Sequence, residues 1–279
     1  MTNRAFVIVM AGVLLCAAPA FSVPTFYVVQ NDNRFDQTGP STVAASGFGF
    51  VGSATPNDGI GPIGFDGGSI SFPASSPLTP TVLTASGPNL RFRSPVLDQA
   101  TFQADFPIGT YTFNLTDSGN PSHTEQESVD DSIATAPSTV PTLTATSFNA
   151  LQGADPTHDI TVNFHPFADS TAASLIFFGV ADSSNNTLFL HGLQPNVTQD
   201  TIPANALQAG QQYAAVLFFT NIVITPDNVA EVIMDNRTQA TFTTQPVPEP
   251  STAVSISLLS ALGIGSLRQR QRRRRTWRS

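Results

Sequence analysis

The sequence predicts an all-β body, two β-sandwich domains in tandem, framed by an N-terminal signal peptide and one C-terminal transmembrane helix. Three observations lead there. Between residues 23 and 245 no stretch sustains a helical period, whereas short runs of β-branched and aromatic residues recur. Several of these runs alternate with period two, as in Tyr111-Thr112-Phe113-Asn114-Leu115 and Ile160-Thr161-Val162-Asn163-Phe164. Gly, Pro, Asn, Asp and Ser break the runs at short intervals, with 22 prolines and 19 glycines among 279 residues.

The elements follow in chain order. Arg4 gives a positive start, Ala5 to Ala18 is an apolar run of secretory length, and Ala18-Pro19-Ala20 and Ala20-Phe21-Ser22 are small-x-small cleavage sites. Residues 1–22 are therefore read as a signal peptide removed after Ala20 or Ser22. Residues 24–135 are the first sandwich, glycine-rich between Gly47 and Gly68, with the polar stretch Ser118 to Ser132 as loop plus a last strand. A linker near Ala134 to Pro141 leads to the second sandwich, 139–245. Its seven expected strands are 141–147, 158–165, 174–181, 186–191, 198–203, 211–224 and 230–243; the continuous apolar runs Ser174 to Val180 and Ala214 to Phe219 read as central strands. Each half places a Gly-containing turn before a tyrosine that opens an apolar strand, "FPIGTYTFNL" ending at Leu115 and "LQAGQQYAAVLFF" ending at Phe219. This resembles the tyrosine corner of immunoglobulin-like and fibronectin type III sandwiches, in which the hydroxyl ties a loop back to the strand.

The tail has three parts. Val247-Pro248-Glu249-Pro250 is held extended by its prolines and lacks amide donors at two of its positions. Ser251 to Leu267 is uncharged, about 25 Å as a helix, close to the lower limit for spanning a bilayer. Arg268, Arg270, Arg272, Arg273, Arg274 and Arg275 follow, and basic flanks stay on the cytoplasmic side. Residues 247–275, with the basic tail running to 279, resemble the PEP-CTERM sorting signal of Gram-negative bacteria. The resemblance implies recognition of the motif by exosortase, a membrane-embedded cysteine peptidase, in an exopolysaccharide-producing cell. It implies the Sec translocon and signal peptidase as earlier partners, inner-membrane anchoring before processing, and a cell-surface or extracellular destination afterwards.

Charge limits the remaining partners. Val23 to Val247 holds 19 acidic residues, four arginines (Arg34, Arg91, Arg93, Arg237) and no lysine, a net charge of −15. Such a body is repelled by nucleic acid, which is not expected as a partner. The single cysteine, Cys16, lies in the signal peptide, so disulfides, thiol catalysis and thiolate metal sites are excluded from the mature chain.

Chemistry is sparse. His123, His158, His165 and His191 match no metal spacing, and His158 and His165 fall on opposite faces of one expected strand. Asp58-Gly59, Asp66-Gly67 and Asp182-Ser183-Ser184-Asn185-Asn186 offer hard oxygen donors without the DxDxDG spacing, so they are read as turns; no cofactor is expected, with Ca²⁺ as the one alternative. No catalytic or phosphate-binding motif is present, and nothing selects a carboxylate pair for glycoside hydrolysis. The only tryptophan, Trp277, is in the tail, and the body has three tyrosines (Tyr27, Tyr111, Tyr213), few for stacking sugars. The expected function is a non-enzymatic surface or matrix protein, structural or adhesive in exopolysaccharide or biofilm. A glycan- or Ca²⁺-binding module is the alternative, with a secreted hydrolase behind it.

Overall fold

The computed structural model describes residues 25–56, 65–119 and 124–246. The signal peptide with its cleavage sites, the sorting motif, the apolar run, the arginine tail, Asp58-Gly59 and His123 lie outside these residues. Among the described residues no helix is long and apolar enough to cross a membrane.

The chain is all-β, as expected. It opens with two 15-residue strands, β1 (Thr25–Gly39) and β2 (Thr42–Pro56). There follow β3 (Gly67–Ser71), β4 (Thr81–Val82), β5 (Thr84–Ser86), β6 (Asn89–Arg93), a short helix α1 (Gln99–Asp105), β7 (Thr110–Thr116) and β8 (Thr124–Asp130). The second half holds α2 (Ala145–Leu151), β9 (Ile160–Asn163), β10 (Leu175–Asp182), β11 (Thr187–Leu193), β12 (Gln199–Ile202), β13 (Gln212–Ile224) and β14 (Ala230–Thr243).

One eight-stranded sheet, in the order β11-β10-β13-β14-β1-β2-β6-β5, runs through both halves. Its hinge is a parallel ladder of β1 with β14, in register from Tyr27 opposite Ala230 to Asp36 opposite Gln239. Two partner layers lie on the same face of this sheet. The four-stranded sheet β4-β3-β7-β8 covers the first half. The pair β12-β9 with α2 covers the second. Two cores result. The first gathers Tyr27, Val29, Phe50, Ile70, Tyr111, Phe113 and Val129, and the second Phe164, Ile176, Phe178, Leu217, Phe219 and Phe242. Strand β14 serves both, with Ala230, Val232 and Met234 in the first core and Ala240 and Phe242 in the second.

Six of the seven strands expected in the second half form close to the expected bounds. The exception is 141–147, where only Leu143 makes a bridge, to Phe164, and α2 follows. The Thr144 hydroxyl accepts from Ser147 N–H at 3.3 Å, and Phe148 and Leu151, three apart, bury one helical face. A single capped turn of this length leaves too short a period to register in the sequence.

Both tyrosine corners form. The Tyr111 hydroxyl donates to the Pro107 carbonyl at 2.9 Å, and the Tyr213 hydroxyl accepts from Gln208 N–H at 2.7 Å. The Tyr111 ring is fully buried. Tyr111→Phe should therefore cost about 1 kcal/mol by urea denaturation, the net value of one hydrogen bond, with the ring packing kept.

Candidate functional site: the arginine face

The two faces of the central ladder carry different chemistry. Odd positions of β1 face the cores, and even positions Gln30, Asp32 and Arg34 face the other way. In the parallel register Asp32 stands opposite Asp235, Asn33 opposite Asn236 and Arg34 opposite Arg237. The triplet Asp-Asn-Arg therefore occurs twice, at 32–34 and 235–237, and the copies lie side by side. Sequence reasoning missed this site; the repeat was its signal.

On the core side the asparagines join the halves. Asn33 Nδ2 donates to Asn236 Oδ1 at 2.8 Å, and Asn236 Nδ2 donates to the Pro137 and Thr139 carbonyls at 2.7 and 3.0 Å. Asn221 Nδ2 holds the Thr135 carbonyl at 2.9 Å. Gln37 mimics a strand, donating to the Leu143 carbonyl at 3.1 Å and accepting from Leu143 N–H at 2.9 Å. The connection between the cores is thus pinned to the sheet by side-chain amides that satisfy backbone groups otherwise buried without partners.

On the opposite face stand all four arginines of the body. Arg34 lies on β1 and Arg237 on β14. Arg91 and Arg93 lie on β6, opposite Ser53 and Val51, which in turn pair with Val28 and Gln30. The sequence of β2 makes room for them. In Gly47-Phe48-Gly49-Phe50 the phenylalanines point to the first core, Gly49 faces Arg34 and Gly47 faces Val96. A Cβ at Gly49 would stand 2.6 Å from Arg34 Nη2, so the Arg34 guanidinium crosses β2 where no side chain intervenes. Its Nε donates to Asp32 Oδ2 at 2.7 Å, and Arg237 Nε lies 4.0 Å from Asp32 Oδ1. The Arg237 guanidinium also sits 5.8 Å from the Phe218 ring centre. Beyond Phe218 the same face continues as an apolar cluster of Phe177, Ala214 and Val216.

Burial sets the electrostatics. Desolvation, then the like charge of Asp32, pushes Asp235 up to about 7 although Gln30 donates to it; desolvation, then Asp235, pushes Glu231 up to about 7. Desolvation lowers Arg91 and Arg237, and desolvation with the neighbouring Arg34 and Arg91 lowers Arg93 to about 10. Arg34 and Arg237 are buried, and Arg91 and Arg93 are half-buried. Arg91 Nε is buried without a hydrogen-bond partner among the described residues.

The other candidate residues do not assemble. His158 and His165 flank β9 rather than sharing it, and both are exposed. His158 Nδ1 is 3.2 Å from Asp155, and His191 Nδ1 is 2.8 Å from Asp200. Among the described residues no group of three or more metal-ligating side chains forms. The two calcium candidates within the described residues act as clasps. Asp182 accepts from Ser184 N–H at 2.8 Å, Asn186 N–H at 2.9 Å and the Asn186 side chain at 2.9 Å, closing the β10–β11 turn around Asn185, which has φ 63°. Asp66 accepts from the Ser118 amide and hydroxyl. The rings of Tyr27, Tyr111 and Tyr213 are all buried, which removes them as sugar-stacking platforms.

No protein-family model matches the chain. No curated protein matches it. Among solved structures, the FN1–FN3 domains of chicken CNTN1 align over 82% of this chain and 69% of that one, at 10% identity and a TM-score of 0.24. The BSP domain of a biofilm associated protein aligns over 77% of this chain and 29% of that one, at 18% identity and a TM-score of 0.21. The chain thus spans less than a third of the length of that second protein. At these scores the sandwich architecture rests on the strand ladders and the two cores, not on the alignments.

Proposed function

We propose that this chain is a non-enzymatic, exported surface protein, sorted through its C-terminal signal and acting as a structural or adhesive component outside the cell. The observation that carries the reading is the order of the tail: an extended Val247-Pro248-Glu249-Pro250, then an uncharged run of spanning length, then the arginine cluster, behind an acidic β-sandwich body. In this reading the translocon and signal peptidase act at the N-terminus, an exosortase-like peptidase acts at the motif, and Arg268 to Arg275 fix the topology. The body has no cysteine and rests on its two cores alone, which suits a folded module outside the cell without disulfides.

Replacing Pro248, Glu249 and Pro250 with alanines should leave the full-length chain in the membrane fraction, detected by immunoblot of fractionated cells. Release at the normal rate would overturn the sorting reading. The arginine face is enclosed rather than open, with Arg34 at 5% and Arg237 at 7% exposure. Asp32 and Asp235, the two carboxylates brought together there, are 7% and 3% exposed, too enclosed for a polymeric substrate to reach.

A further inference from the structure

We propose that strand β11 is a pairing edge at which two copies of this chain join, antiparallel and edge to edge, into one continuous sheet. The inference goes beyond the surface-protein reading and does not depend on it, since it rests on strand order, exposure and side-chain pattern within the body.

The contrast between the sheet edges is the first reason. A strand with a neighbour on one side only turns alternate N–H and C=O groups outward, and folded proteins blunt such edges by keeping them short, charged or covered. Among the described residues every sheet edge but β11 follows this rule. At the far end of the eight-stranded sheet, β5 has three residues. In the four-stranded sheet β4 has two residues, and β8 carries Glu125, Glu127 and Asp130. Strands β9 and β12 have four residues each. Strand β11 instead runs Thr187-Leu188-Phe189-Leu190-His191-Gly192-Leu193, about 23 Å long, with no acid, lysine, arginine or proline. Leu188 is 42% exposed, and Thr187, His191 and Gly192 are exposed beside it.

The edge is also fixed in advance. At one end the Asp182 carboxylate closes the β10–β11 turn by accepting from Ser184 and Asn186 N–H. At the other, His191 Nδ1 lies 2.8 Å from Asp200 Oδ2, which ties β11 to strand β12 of the covering layer. Between them β10 holds β11 along its length. A strand already held in place loses little freedom when it pairs.

The side-chain pattern selects a second copy as the occupant. Antiparallel pairing about Leu190 sets Leu190 beside its counterpart, Phe189 opposite His191 and Leu188 opposite Gly192, each contact made twice. Within one copy the Phe189 and His191 rings already pack with centres 5.1 Å apart, so pairing extends them into a row of four. A Cβ at Gly192 would stand 3.3 Å from the Phe177 ring, so the glycine leaves that ring open to Leu188 of the second copy. Two-fold pairing uses up the free edge of both copies, and assembly stops at the dimer. Charge and area set its strength. Two bodies of net charge −15 repel, and β11 lets strands meet without a carboxylate in either one. A single strand pair buries less than the roughly 1,600 Å² of a standard interface, so the dimer forms at micromolar rather than nanomolar concentrations. Salt, by screening the repulsion, strengthens it.

The test is sedimentation of the purified full chain in mild detergent over a range of concentrations, with amide hydrogen exchange at the lowest and highest. Monomer and dimer should interconvert, and the dimer should gain with added salt. Amides of β11 should exchange more slowly at high concentration, with those of β5 and β8 unchanged. Leu188→Lys, which places a charge on the edge, should weaken the dimer at least about tenfold at an unchanged melting temperature. Ile224→Lys, at the end of β13 and 41% exposed, should leave it as it is. A monomer up to about 1 mM, a dimer indifferent to Leu188→Lys or weakened by salt, open-ended oligomers, or protection that rises elsewhere than in β11 would each overturn the proposal. The chain with alanines at Pro248, Glu249 and Pro250 should pair in the same way, so pairing and sorting succeed or fail separately.

Discussion

Phe50→Ala should destabilise the chain by about 3–5 kcal/mol and shift both cores together in a single unfolding transition. Phe50 is fully buried at the centre of the first core. It stacks on Phe106 at 4.6 Å and 5°, and on Tyr111 at 4.9 Å and 25°, with Phe72 and Phe92 at its edges. Truncation removes the ring shared by all these contacts, and the flanking aromatic groups come from β6, β7 and the ends of β3 and α1, which cannot all close in. The loss is a large fraction of the roughly 5–15 kcal/mol that holds a typical domain. Coupling to the second core follows from the shared sheet. When the first core opens, β1 leaves β14 along ten paired positions. That exposes the edge of the strand that also carries Ala240 and Phe242, and it strips Asn236 of Asn33 and Leu143 of Gln37. Calorimetry should give one transition in both wild type and variant, and hydrogen exchange in β10 and β13 should accelerate in the variant. Two transitions, with only one moved, would show that the halves are energetically independent.

The same sharing explains what the sequence made legible. Strands β10, β13 and β14 were readable because they are long and rich in β-branched and aromatic residues, and the tyrosine corners because a turn glycine precedes each tyrosine. The strand β1 was not, since "QNDNRFDQ" has the composition of a loop. It is a central strand whose polar residues find partners only across the ladder, in a second copy of the same triplet two hundred residues away. Strand β2 was hidden for a related reason. Its glycines at 47 and 49 lower its apparent strand character, yet a Cβ would strike Val96 at the first and Arg34 at the second. The clustering of the arginines could not be read from spacing, because 34, 91, 93 and 237 come together only through sheet order. Their scarcity was visible, and it is what makes their convergence informative.

That convergence stores a pH dependence, and Asp235→Asn should reveal it. Asp235 lies at the middle of the ladder, opposite Asp32 and one turn of the pleat from Arg237. Its folded value of about 7 stands above an ordinary value of 3.8, with desolvation as the main cause. Between these two values the folded chain binds a proton that the unfolded chain has released, so stability falls as pH rises from about 4 to about 7 and stays low above that. A rise of about three pH units corresponds to about 4 kcal/mol at most, with Glu231 adding to the same trend because its value is raised to about 7 as well. Asparagine keeps the shape and an acceptor for Gln30 while removing the buried charge, and Arg237 retains Asp32. Asp235→Asn should therefore stabilise the chain by about 1–3 kcal/mol at pH 8 and change it little at pH 4, by urea denaturation at the two values. The opposite sign, destabilisation at pH 8, would mean that the Asp235 carboxylate is held charged by the arginines. In that case the arginines and carboxylates of this buried face neutralise one another.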